Sequence, residues 1–292
     1  MKIGLGTVQF GLEYGISNQS GQTSAAEVVK ILAVAREYHI DVIDTAALYG
    51  NCEDILGRLL PHDHTFKLVT KTIRIDSNRI TDAAPDRMES TFIASLEKLS
   101  CSAVYGLMVH NADDLLAEGG ERLMERLETL KQCGKISKIG ASVYTASQID
   151  ALLKRYQIDL VQLPMNIIDQ RLITGGQLAA LKSHGVEIHA RSAFLQGLLL
   201  MSPESVPDYF GPVRKQLMGY HEFLRDLQIT PVRAALGFLA ARDEIDVIVC
   251  GVNDHRQFIE ICQSSDPLPD IDFSPFATDN EEMLNPSKWR VA

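Results

Sequence analysis

An α/β fold, a closed (β/α)8 TIM barrel forming a single domain, is what this sequence predicts, and three observations carry the prediction. Short apolar runs alternate about eight times with helix-period stretches closed by Gly or a polar turn. Several of those runs are apolar with little in-out alternation, the pattern of parallel strands covered on both faces. The chain has 292 residues without a Gly/Ser linker or a break in composition, and barrels of roughly 250 residues fold as one unit. The doubly wound open sheet produces the same alternation and stands as the alternative, because pattern alone does not prove closure.

The apolar runs, in order, are Lys2–Leu5, Asp41–Ile43, Lys67–Thr70, Val104–Val109, Ile136–Ile139, Asp159–Leu163, Val186–Ala190 and Asp246–Cys250. Between the first two, Ser24-x-x-Glu27 has the spacing of a capping box, in which hydroxyl and carboxylate satisfy each other's orphan backbone donors. Val28, Ile31, Leu32 and Ala35 follow at i, i+3, i+4, i+7 and mark one buried helix face. Gly119-Gly120 reads as a loop leading into the helix Glu121–Leu130, and Gly134 ends that helix just before the fifth run. Thr145-x-x-Gln148 is a second capping box, with Ile149, Leu152, Leu153 and Tyr156 as its stripe, and Gly185 precedes the seventh run.

Two stretches leave this rhythm. Residues 201–230, with Pro203, Pro207 and Pro212, form an irregular loop or helical insertion after the seventh strand; residues 265–292 form a Pro-containing tail. Long loops of this kind serve as lids or pocket walls, so the tail is expected to help shape a substrate pocket. Trp289 within it either pins the C-terminus or walls the pocket.

Composition excludes several functions. With 28 Lys+Arg against 38 Asp+Glu the net charge is −10, and without a long basic run the chain lacks the face a nucleic-acid backbone requires. The five cysteines are widely spaced and form no C-x-x-C pair, so a reduced, cytoplasmic protein without disulfides or zinc is expected. Neither a signal peptide nor a membrane span is evident. His62-Asp63-His64 alternates like a metal cluster, yet in a Pro-led loop with no further ligand nearby it reads as a solvated turn, and no metal is expected. Cys101 and Cys250 read as core or semi-buried residues, not as nucleophiles.

In a barrel the C-terminal strand ends face the active-site mouth. Asp44 ends the second run, Tyr49 follows in its loop, Lys71 ends the third and His110 ends the fourth. Singly, each has an ordinary structural explanation; together on consecutive strands they form a proton-transfer set. An ammonium beside a phenol stabilises the phenolate and lowers its pKa, a carboxylate keeps the buried ammonium charged, and an imidazole orients a substrate oxygen. None of these groups accepts a hydride, so redox chemistry here requires an organic cofactor.

The segments Gly4-Leu5-Gly6-Thr7-Val8-Gln9-Phe10-Gly11 and Asp44-Thr45-Ala46-Ala47-Leu48-Tyr49-Gly50, with Lys71, His110 and Gly140-Ala141-Ser142, together resemble the aldo-keto reductase superfamily over nearly the whole chain. The resemblance implies Tyr49 as general acid/base, Asp44, Lys71 and His110 as its partners, and NADP or NAD as cofactor on a barrel without a Rossmann domain. The sequence agrees on the last point, since Gly4-x-Gly6-x-x-Gln9 lacks the third glycine of the dinucleotide fingerprint.

The resemblance further implies cofactor contacts from Gly6, Thr7 and Asp44, from Ser142 and Gln162 to the nicotinamide carboxamide, and from Asn166. Ser192, Leu195 and Gly197 resemble the loop that wraps the pyrophosphate; Gly251, Gln257 and Glu260 stand where the family meets the adenosine end. Barrels commonly bind phosphate at the loops after strands seven and eight. Three departures stand out. Val143 replaces the Asn that usually follows the carboxamide Ser, and Arg191 replaces a ring-stacking Tyr. Gly251 and Gln257 align with a Lys and an Arg offered to the 2′-phosphate, so the choice between NADP and NAD stays open.

The expectation is a carbonyl reductase or alcohol dehydrogenase acting on a small aldehyde, ketone or sugar. A cofactor-binding sensor of low catalytic power is the alternative. A metal-dependent barrel isomerase is a third reading; it needs several convergent carboxylates and histidines at strand ends, and only Asp44 and His110 stand there. The sequence names neither the substrate nor the oligomeric state.

Overall fold

The computed structural model describes residues 2–269 and 271–289. Its eight strands are β1 (Ile3–Gly6), β2 (Val42–Asp44), β3 (Lys67–Lys71), β4 (Val104–Val109), β5 (Ile136–Ser142), β6 (Leu160–Pro164), β7 (Glu187–Arg191) and β8 (Val247–Gly251). They pair in chain order, all parallel, and β8 returns to β1 through registers such as Gly6 with Gly251, so the sheet is a closed barrel and not the open alternative. Most strands run one residue beyond the apolar run, and β5 runs on to Ser142. The cause is physical: Asp44 still pairs through its backbone with Gly6 and Val69 after its side chain has left the core.

Two apolar layers hold the barrel. Val42, Val69, Met108, Leu160, Val247 and Val249 fill its interior, while a larger cluster packs the helices against its outside. The expected stripe Val28, Ile31, Leu32 and Ala35 is buried in that outer layer. The helix Ala146–Arg155 starts on a full capping box from Thr145 and Gln148. Ser24 caps the helix Ala25–Glu37 through the Glu27 N–H, but the Glu27 carboxylate turns away to His255, so only half of that box forms. Gly134 and Gly185 take the expected left-handed φ, 70° and 71°.

After β7, residues 201–230 hold a 3-10 turn, Asp208–Val213, and the helix Arg214–Asp226. The tail is bound to this insertion: Gln216 Nε2 donates to the Phe276 carbonyl at 2.6 Å, and the Trp289 ring meets Phe210 edge-on at 4.9 Å. Trp289 therefore pins the tail, while Pro286 reaches the main cavity. Toward the N-terminal end of the barrel, Glu187 binds Tyr105, Lys138 and His189 together. All five cysteines are free thiols. Among the described residues no helix is long and apolar enough to cross a membrane.

Candidate active site

A cavity of about 680 Å³ opens at the C-terminal ends of the strands, within the size range of small-molecule sites. β2, β3 and β4 deliver Asp44, Lys71 and His110 to it, and the loop after β2 delivers Tyr49. Lys71 Nζ lies 2.6 Å from Asp44 Oδ1 and donates to the Thr45 carbonyl at 3.0 Å. The same ammonium stands 5.0 Å from the centre of the Tyr49 ring, and the Tyr49 and His110 rings meet edge-on at 6.1 Å.

These contacts set the protonation states. Burial works against the Lys71 charge, but Asp44 and then Tyr49 outweigh it and raise its pKa, so it is an ammonium. Burial raises the Tyr49 pKa; Lys71 pulls it down without cancelling that rise, and Asp44 and Tyr14 push it further up. Sequence alone predicts a lowered value, because the ammonium is legible there and the desolvation is not. Burial first and the Lys71 charge second hold His110 down at about 4. At neutral pH the set is therefore a protonated phenol, a neutral imidazole with an unpartnered Nδ1, and a compensated ion pair. Such a set has the chemistry to donate a proton to an oxygen.

The expected cofactor contacts divide. Gly6, Thr7 and Asp44 line the cavity at the β1 and β2 ends; Ser142 and Gln162 line it at the β5 and β6 ends. Gln162 also donates to Asp44 Oδ2 at 2.8 Å, so it holds the carboxylate whose other oxygen takes Lys71. Arg191, Ser192 and Gly197 line it after β7, and Gly251, Gln257 and Glu260 after β8. Arg191 has no carboxylate partner among the described residues; its guanidinium stacks on Tyr144 at 4.4 Å and donates to the Val143 carbonyl at 3.1 Å.

Asn166 and Leu195 do not line the cavity. Asn166 is fully buried with its amide spent, Nδ2 on the Ser192 carbonyl and Oδ1 on the N–H groups of Ile168 and Asp169. It braces the loop after β7 from behind. Leu195 turns into the core from a left-handed φ of 47°, and its neighbour Gln196 faces the cavity instead.

Sequence reasoning missed Gln9, Tyr14, Tyr144, Gln196 and Asn253, all of which line the cavity. Gln9 stood inside the quoted opening segment, and Tyr144 two residues past Ser142. Tyr14 had no such marker: the loop after β1 folds back so that Gln196 Nε2 donates to its hydroxyl at 3.1 Å. Of the histidine motif, His62 and Asp63 are exposed while His64 tilts against Phe66. Among the described residues Glu27, Asp254 and His255 are the grouping with metal-ligand proximity, and each already bonds protein.

A family model described as Aldo/keto reductase family matches residues 2–275. The oxidoreductase sirO of Leptosphaeria maculans is 28% identical over 67% of this chain and 60% of its own length. The NADH-specific methylglyoxal reductase of Escherichia coli is 27% identical over 68% and 65%. The matches thus span less than two thirds of these relatives. Among solved structures, an aldo-keto reductase from Bacillus halodurans superposes with a TM-score of 0.74 at 21% identity, covering 99% of this chain and 95% of that one. The glycerol dehydrogenase of Gluconobacter oxydans gives 0.73 at 20%, covering 98% and 92%. The barrel, the order of its site residues and the match along residues 2–275 agree: the chain belongs to the aldo/keto reductase family.

Proposed function

We propose that this protein is a nicotinamide-dependent reductase of small aldehydes or ketones, with Tyr49 as the proton donor. The observation that carries the reading is the protonated Tyr49 phenol beside a compensated Lys71–Asp44 pair at the wall of the main cavity. A bound nicotinamide dinucleotide supplies the hydride. Tyr49 gives its proton to the substrate oxygen, and the phenolate left behind is stabilised by the Lys71 ammonium, which Asp44 keeps charged. Neutral His110 orients that oxygen by a hydrogen bond.

The cavity fits such a cofactor. It runs from this set across the β1 end to the loops after β7 and β8. Ser142 and Gln9 line it, and the Gln9 Oε1 has no hydrogen-bond partner among the described residues. At the β8 end its lining includes Asn253, Gln257 and Glu260 and no cation. The amides that open the helix His255–Gln263 are spent on carboxylates, Arg256 and Gln257 on Asp254 at 2.8 and 2.9 Å and His255 on Glu27 at 2.9 Å. A 2′-phosphate would find no cation among the residues lining that end, Arg256 being exposed outside the cavity lining, and this favours NADH over NADPH. The E. coli relative is named for NADH specificity.

The test is titration with each cofactor, followed by reduction of nitrobenzaldehyde. We expect both to bind, with NADH tighter by about tenfold, roughly 1.4 kcal/mol, and aldehyde-dependent oxidation of NADH. Binding of neither cofactor overturns the reading; tighter NADPH binding overturns the cofactor preference alone; binding without turnover supports the sensor.

A further inference from the structure

Gln9 lies just beyond β1, at the seam between the Tyr49 side of the mouth and the β8 loop. Gly6, three residues earlier, is in register with Asp44 on one side and Gly251 on the other. The Gln9 backbone is fixed, its carbonyl accepting the Thr23 N–H at 2.8 Å within the turn Val8–Gly11. The residue is only 9% exposed and lines the cavity, yet its amide bonds none of the described residues, and Oε1 is shielded without a partner. Gly251 makes the room: a Cβ there would stand 2.5 Å from Oε1 and 2.8 Å from Nε2.

An unpartnered buried amide costs about 1–3 kcal/mol, and an apolar side chain of the same shape avoids that cost. The amide takes no hydrogen bond from the described residues and lines the cavity, so its polar atoms are available to something that enters there. We propose that Gln9 anchors the dinucleotide by a hydrogen bond to a ribose hydroxyl, an assignment that rests on the nicotinamide-dependent reading above. A hydroxyl both donates and accepts, so it satisfies the amide whichever way Oε1 and Nε2 point. A phosphate only accepts and attracts cations, and this seam offers none: the cavity's cations, Lys71 and Arg191, belong to β3 and β7. A sugar is also the part of a dinucleotide that joins its nicotinamide to its phosphates, as Gln9 joins the Tyr49 side to the phosphate-binding loops.

The experiment uses the full chain with Gln9→Met, which keeps the shape and removes the amide. NADH affinity is measured by calorimetry and the melting temperature without ligand by circular dichroism. The expected result is a Kd for NADH raised about tenfold, with a ligand-free melting temperature equal to or above that of the parent. Gly251→Ala, which crowds the amide instead of removing it, is expected to weaken NADH as well. An unchanged Kd in Gln9→Met overturns the proposal. So does a lowered ligand-free melting temperature, which marks Gln9 as structural. Failure of the parent protein to bind any dinucleotide is a different result; it removes the cofactor reading and this assignment with it.

Discussion

Asp44, Lys71, Tyr49 and His110 have a counterpart of the same four chemical types toward the other end of the barrel, in Glu187, Lys138, Tyr105 and His189. In the lower quartet every member bonds the carboxylate: the Tyr105 hydroxyl at 2.6 Å, a His189 ring nitrogen at 2.7 Å, and Lys138 in a close ion pair. In the upper quartet the carboxylate takes Lys71 and Gln162, which leaves the phenol and the imidazole off it. The large cavity is lined by all four upper residues and none of the lower ones. Inventory therefore does not make a catalytic site. What distinguishes the upper set is that its phenol and imidazole are not bound to its carboxylate and line the cavity.

The comparison breaks most severely at Lys71→Met. That change leaves the Asp44 carboxylate buried without its cation, for an expected loss of about 3–5 kcal/mol in urea unfolding. A loss below about 1 kcal/mol would mean that the upper pair is not the compensated unit described here.

Glu187→Gln sharpens it from the other side. Burial works to raise the Glu187 pKa, but hydrogen bonds from His189, Lys138 and Tyr105 outweigh it and hold it well below the carboxylate range. A depressed folded-state pKa contributes stability that is present above the unfolded value near 4.5 and lost as pH falls through the acid range. The expected cost is about 1–3 kcal/mol at pH 7, shrinking below about pH 4, with aldehyde turnover intact. A cost that does not change with pH would contradict the charge assignment.

The strands were legible because burial on both faces demands continuous apolar runs, and the convergence of Asp44, Tyr49, Lys71 and His110 on one cavity because each ends or follows such a run. Strand closure was not legible, since neighbouring strands are told apart only by pairing. The loop after β7 shows the same limit at finer scale. Leu195 and Gln196 both take left-handed φ, and that bend turns the apolar member to the core and the polar one to the cavity. Asn166 failed for another reason: an Asn two residues past a strand end is equally suited to a ligand and to holding a turn, and here it holds the turn beneath Ser192. The Tyr49 pKa turned on desolvation, a property of the closed cavity that no residue spacing encodes.

Removing one hydroxyl from each quartet is the most direct measurement: Tyr49→Phe and Tyr105→Phe compared in nitrobenzaldehyde reduction, with NADH affinity measured alongside. Tyr49→Phe is expected to lose turnover by about 10²-fold or more while binding NADH as the parent does, and Tyr105→Phe to keep turnover within about twofold. Equal turnover losses in both variants, or full activity in Tyr49→Phe, would contradict the assignment of proton transfer to the upper rim.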